Sequence, residues 1–106
     1  MIVSNIKSYT SGWFIGNFEP TLLKTEAFEV AHHFYHKGFK ATPHIHKIAT
    51  EYNYIINGQL IVSGKSLSSG DIFVYELNDI SDVQFLEDTN LIIIKTPSIP
   101  TDKYEI

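Results

Sequence analysis

The 106-residue chain contains no cysteine and no arginine. Without cysteine there can be no disulfide framework, zinc finger, iron–sulfur centre or thiol nucleophile. Without arginine, all eight basic residues are lysines, and the net charge is −4. A nucleic-acid partner would favour a basic stripe, so this balance argues against one. The bidentate clamp suited to multiply phosphorylated substrates is missing too, although lysine can still serve as a point charge. The opening MIVSNIKSYTSGWFIGNF carries a single lysine and no apolar run long enough for a signal peptide or a membrane helix. No Asn-x-Ser/Thr sequon occurs. A cytoplasmic protein with no membrane partner is expected. A Gly-rich phosphate loop, a Ser/His/Asp set and a Walker-type lysine are also missing.

What remains is β-rich. Helix signals are poor, and short runs of Ile, Val, Tyr and Phe are broken by Gly, Asn, Ser and Pro. That punctuation belongs to an all-β sandwich or barrel. Strands are expected at 13–18, 28–36, 44–47, 51–56, 59–63, 71–75, 82–86 and 91–96. Asn57-Gly58 reads as a type I′ hairpin turn, and Ser69-Gly70-Asp71 as a second tight turn. The run Leu91–Ile94 reads as a strand buried on both faces, and the proline-bearing end, TPSIPTDKYEI, as an irregular surface tail. At this length a single domain is expected over 1–106. Its core would lie at about 28–96, with an N-terminal strand region at 1–27 and a C-terminal tail at 97–106.

The chemistry lies in HIHKIATEYNYIING, residues 44–58. His44 and His46 share one face of a strand, because side chains alternate with a period of two. Restarting the alternation at the next strand groups Glu51, Asn53 and Ile55 on one side. If that side is inward, two imidazoles and a carboxylate converge. Burying an unpaired carboxylate is costly, and a divalent cation would reverse that cost. Two histidines and a carboxylate suit Fe²⁺, and three protein ligands with an open position suit Zn²⁺. Ni²⁺ and Mn²⁺ are chemically acceptable as well. An immunoglobulin-type sandwich would leave the histidine pair unexplained.

Gly38, five residues, His44-Ile45-His46, four residues, Glu51, six residues and Gly58 together resemble the first conserved motif of the cupin superfamily. The second motif would start at Gly70-Asp71 and matches only in part. Its proline falls on Glu76, its second glycine on Asn78, its metal-binding histidine on Ser81 and its final asparagine on Phe85. The resemblance, spanning about residues 28–96, implies a cupin-like double-stranded β-helix, a jelly-roll barrel usually paired as a homodimer. It also implies a divalent transition metal held inside the barrel by His44, His46 and Glu51.

Water could face Ser81 where the fourth ligand is lost, or the site could hold metal weakly. His32 or His36 could replace that ligand from a neighbouring strand, against the plainer reading of a polar rim. His33 falls on the opposite face and should meet solvent. Asp79 and Asp82 read as solvated turn residues. Asn53 could orient a ligand or be an amide satisfied by the backbone. Tyr52, Tyr54, Phe73 and Tyr75 fit sheet-to-sheet packing, and Trp13, Phe14 and Phe18 fit a cover over the barrel or a dimer seam. The expected function is metal-dependent action on, or binding of, a small polar molecule. The alternatives are a non-enzymatic binding or sensing module with a worn site, and a metal-independent sugar epimerase or isomerase. The ligand set alone does not choose among them.

Overall fold

β-branched and aromatic residues dominate the segments that become strands, as their fit to a pleated, half-buried surface requires. The computed structural model describes all 106 residues. In chain order the strands are β1 (Trp13–Ile15), β2 (Glu29–Tyr35), β3 (His44–Ile45), β4 (Thr50–Asn57) and β5 (Gln59–Val62). They continue as β6 (Lys65–Ser68), β7 (Ile72–Tyr75), β8 (Gln84–Phe85), β9 (Thr89–Thr96) and β10 (Tyr104–Glu105). Two 3-10 turns, Ile6–Ser8 and Thr10–Gly12, precede β1.

One antiparallel sheet has the order β1-β2-β9-β4-β7, a second β6-β5-β8, and β10 pairs with β3. Backbone bonds join the latter two groups: residues 38–44 run antiparallel to 81–85, with Ala41 N–H on Val83 C=O and His44 and Ser81 bonding reciprocally. Two sheets therefore face each other. Between them lies the core, which includes Ala31, Ile55, Leu60, Phe85, Leu91 and Ile93. No helix is long and apolar enough to cross a membrane.

Three expectations change. Asn57-Gly58 is not a hairpin: β4 and β5 belong to different sheets, and the dipeptide is the corner between them. The two-residue hairpin is Ser63-Gly64, joining β5 to β6 with both residues at positive φ (49° and 75°), as a type I′ turn requires. The run in β9 is buried on one face only. Leu91 and Ile93 point to the core while Ile94 is exposed, because nothing covers the outer face of the five-stranded sheet.

The third correction concerns the C-terminal segment, which is no loose tail. β10 pairs with β3, and Ser98 and Asp102 are buried. Three backbone N–H groups at Lys47, Ile48 and Ala49 donate to the Asp102 carboxylate. The buried Ser98 hydroxyl donates to Glu29 and accepts from the Asn17 N–H. Prolines stop this segment from extending a sheet, and polar anchoring fixes it instead.

Candidate functional site

Alternation along β4 aims Glu51, Asn53 and Ile55 inward and leaves Tyr52, Tyr54 and Ile56 outside, as the sequence pattern predicts. The register across the five-stranded sheet sets Lys95 of β9 opposite both Glu29 of β2 and Glu51 of β4, and Glu51 opposite Tyr75 of β7. One inward row therefore reads Glu29, Lys95, Glu51, Tyr75. The row below it, Ala31, Ile93, Asn53 and Phe73, is mostly apolar. His44 and His46 reach the same interior from the opposing sheet. These residues line a cavity of about 430 Å³, a size that suits a small organic ligand.

The two imidazoles are held in the same way. His44 Nδ1 lies 3.1 Å from the Thr42 carbonyl, and His46 Nδ1 bonds the Asp102 carbonyl. A carbonyl only accepts, so each Nδ1 carries the proton and each Nε2 is left free. His46 Nε2 is buried without a hydrogen-bond partner and stands 3.3 Å from Glu51 Oε1. The other oxygen, Oε2, accepts from Asn53 Nδ2 at 3.0 Å. Asn53 is thus an orienting group, satisfied by a side chain and not by the backbone.

The electrostatics follow. The Glu51 carboxylate beside it raises the His46 pKa despite its burial. Burial alone would push the Glu51 carboxyl up, but His46, Asn53 and Lys95 outweigh it and hold it below the usual value. Burial lowers the His44 pKa, with the Thr42 carbonyl opposing. Burial pushes the Tyr75 phenol up to about 12, so it stays an O–H donor. The Ser81 hydroxyl lies close enough to temper that rise without closing a well-aligned hydrogen bond.

The structure draws the predicted donors together only in part. His46 and Glu51 touch, and the His44 ring stands 5.2 Å from that of His46, centre to centre. No three of the His, Asp or Glu side chains close into a ready metal cluster. Ser81, at the position of the lost fourth ligand, does line the cavity.

His32 and His36 do not enter the cavity. His32 bonds Asn90 and His36 lies against Asp88, both on the outer face. It is His33, expected in solvent, that enters, together with Tyr35. Burial lowers the His33 pKa, and its Nδ1 sits 2.9 Å from the Tyr35 hydroxyl. The phase of β2 is reversed because the apolar side, with Val30 and Phe34, faces out and the mixed Glu29–Ala31–His33–Tyr35 side faces in. Tyr52 and Tyr54 are exposed on the same outer face and pack no second sheet, whereas Phe73 and Tyr75 line the cavity. Trp13 and Phe18 cover it. Asp79 and Asp82 are turn residues accepting from the Glu76 and Ser63 N–H groups. Sequence reasoning missed Glu29, Lys95 and Asp102. Lys95 was discoverable as a charge closing an otherwise apolar strand.

Comparison with solved structures supports the architecture. KdgF from a Halomonas species superposes with a TM-score of 0.64 at 25% identity, over 71% of this chain and 74% of that one. The DMSP lyase DddQ from Ruegeria pomeroyi gives 0.73 at 14% identity, covering 88% of this chain but 49% of DddQ. An uncharacterised Klebsiella pneumoniae protein with a double-stranded β-helix domain gives 0.66 at 16% identity, over 91% and 84% of the two chains. No family model and no curated protein matches the chain. The fold and its polar-ended cavity define an all-β, double-stranded β-helix protein. More particularly, the chain has the fold of a small cupin-like domain.

Proposed function

We propose that this cupin binds a divalent transition metal through His44, His46 and Glu51 and acts there on a small polar molecule. The observation that carries the reading is the orphaned His46 Nε2, buried and facing a carboxylate oxygen 3.3 Å away. With Nδ1 protonated, this contact sets one acceptor against another unless a proton or a cation lies between them. His44 offers an equally free Nε2, held neutral by burial. Fixing Nδ1 by a backbone acceptor is the usual outer support of a metal-binding histidine. The donors therefore suit Fe²⁺, Zn²⁺, Ni²⁺ or Mn²⁺. Such an ion would supply Lewis-acid polarisation of a carbonyl or carboxylate. The chain's own residues do the rest. Asn53 fixes the carboxylate, Tyr75 keeps an O–H donor at the chamber, and Trp13 and Phe18 give it apolar wall.

Elemental analysis of protein purified without a metal-affinity tag tests this. About one transition-metal ion per chain is expected, lost when His44→Ala and His46→Ala are combined. A stable protein that is metal-free and takes up neither Zn²⁺ nor Co²⁺ overturns it. That result would favour the second reading, a non-enzymatic ligand-binding module, for which the unclosed ligand set and Ser81 speak. Pairing of two chains through the outer face of the five-stranded sheet is part of the proposal. Its support is the apolar stripe of Tyr52, Tyr54, Ile72, Val74 and Ile94, each at least 40% exposed.

A further inference from the structure

Every buried side-chain nitrogen or oxygen without a hydrogen-bond partner in this molecule belongs to a residue that lines one chamber. The atoms are His33 Nε2, His46 Nε2 and Tyr75 Oη, and all three residues line the same cavity. Buried polar groups are ordinarily paired, so a wall that gathers three unpaired ones is shaped for something polar.

The acceptors of that wall are already engaged. Glu29 Oε2 accepts from Ser98 Oγ at 3.0 Å, and Oε1 lies 3.5 Å from Lys95 Nζ. Glu51 Oε2 accepts from Asn53, and Oε1 faces His46 Nε2, the pair assigned to the metal. Apart from the bare Nε2 atoms of His44 and His46, which the proposed metal would take, what is left over is donors. An ammonium has three N–H bonds, and Glu29 is the one carboxylate paired with Lys95. The Lys95 side chain is only 12% exposed and its Nζ stands 4.9 Å from the centre of the Trp13 ring. Two residues along in the same inward row, Tyr75 adds its phenol O–H. A buried ion pair contributes little net stability, since desolvation offsets the attraction, so the Lys95–Glu29 pair is poorly explained as a fold-stabilising device. Phe18, Phe73, Phe85, Leu91 and Ile93 supply apolar wall, alongside the polar Thr10, Ser11 and Glu19. Lys103 puts a second cation at the rim. A donor surplus beside an apolar chamber is complementary to an acceptor-rich anion on a hydrocarbon or aromatic body. With no arginine in the chain, a single carboxylate fits better than a phosphate ester.

We infer that the cavity binds small organic monocarboxylates, anchored by Lys95 and the Tyr75 hydroxyl, with the ligand's apolar body against Phe73 and Phe85. This names the ligand class of the proposed metal site and rests on that reading only for which end of the ligand reacts.

Titration calorimetry with acetate, butyrate and benzoate, each against its neutral amide, tests the inference on the full chain. At least one acid is expected to bind about tenfold or more tightly than its amide, as a charge-assisted contact implies. Tyr75→Phe should weaken that acid severalfold. Lys95→Gln could strand Glu29 without its partner, so the paired change Lys95→Gln with Glu29→Gln is also measured, its fold checked by circular dichroism. It should abolish the preference for acid over amide. Adding EDTA separates the two proposals. Acid binding that survives chelation but not the paired change supports the inference, even if no metal is ever found. Binding lost on chelation yet indifferent to Lys95 places the anion on the metal and overturns it. Equal binding of acid and amide, or no binding of any acid at millimolar concentration, overturns it too.

Discussion

Asp102 serves the site with both its side chain and its backbone. Its carboxylate collects the N–H groups of Lys47, Ile48 and Ala49 at 3.0, 3.0 and 2.8 Å. Its carbonyl fixes the Nδ1 proton of His46. Burial would raise the carboxyl pKa, but the three donors outweigh it and hold it below the ordinary value. A depressed folded pKa contributes stability that is present above the unfolded pKa of about 3.9. That stability is lost as pH falls from there through the folded value. Asp102→Ala should therefore destabilise the protein by about 2 kcal/mol at pH 7. Urea melts at pH 7 and pH 3 check this, and the gap between wild type and variant should narrow in acid. An unchanged gap would show that the carboxylate does not bear on folding through its charge. The sequence made some of this site readable and hid the rest. His44, His46, Glu51 and Asn53 could be placed because alternation fixes which residues share a face. Asp102 could not, because a carboxylate among prolines near the chain end looks like a solvated one. Its partners are more than 50 positions away.

At the scale of elements, glycine positions carry what hydrophobic patterning does not. Gly58 has φ +112°, and a Cβ built there would lie 2.3 Å from Thr89 Oγ1 and 2.6 Å from Thr89 Cα. The Asn-Gly pair was legible as a turn, but its use as a corner between sheets was not, since that depends on β9 passing behind it. Ser63-Gly64, the actual hairpin, has the same local chemistry with open space around Gly64. Replacing each glycine by alanine distinguishes the two demands. Gly64→Ala meets only the left-handed backbone penalty, about 1–2 kcal/mol. Gly58→Ala meets backbone strain and a collision with Thr89, and should cost more than about 3 kcal/mol or prevent folding. Thermal melts of both variants decide the matter. Equal losses would mean that conformation alone, and not the approach of Thr89, makes glycine necessary at residue 58.

For the whole molecule, the reversed phase of β2 and the exposed side of β9 have one cause. The five-stranded sheet is more apolar outside than inside. Its inner face carries Glu29, His33, Glu51, Asn53 and Lys95 around the cavity, while its outer face carries Val30, Phe34, Tyr52, Tyr54, Ile72 and Ile94. Hydrophobic patterning assigns the apolar side to the core, which is why it offers His32 or His36 to the site and sends His33 to solvent. An apolar face of this extent on an isolated chain marks an interaction surface. A second copy is the expected occupant, because the stripe crosses four neighbouring strands, β2, β9, β4 and β7, and a self-complementary patch closes a twofold pair without leaving a free edge. Light scattering on a sizing column should return a mass near 24 kDa, twice the 12.1 kDa of one chain. Combining Tyr54→Glu with Ile94→Glu sets carboxylates into that face and should give a folded monomer. Neither side chain points into the cavity, so metal content and carboxylate binding should be unchanged. A wild type that stays monomeric at about 100 μM, well above the dissociation constant of a standard-sized interface, would leave the apolar face without its expected partner and sink the dimer.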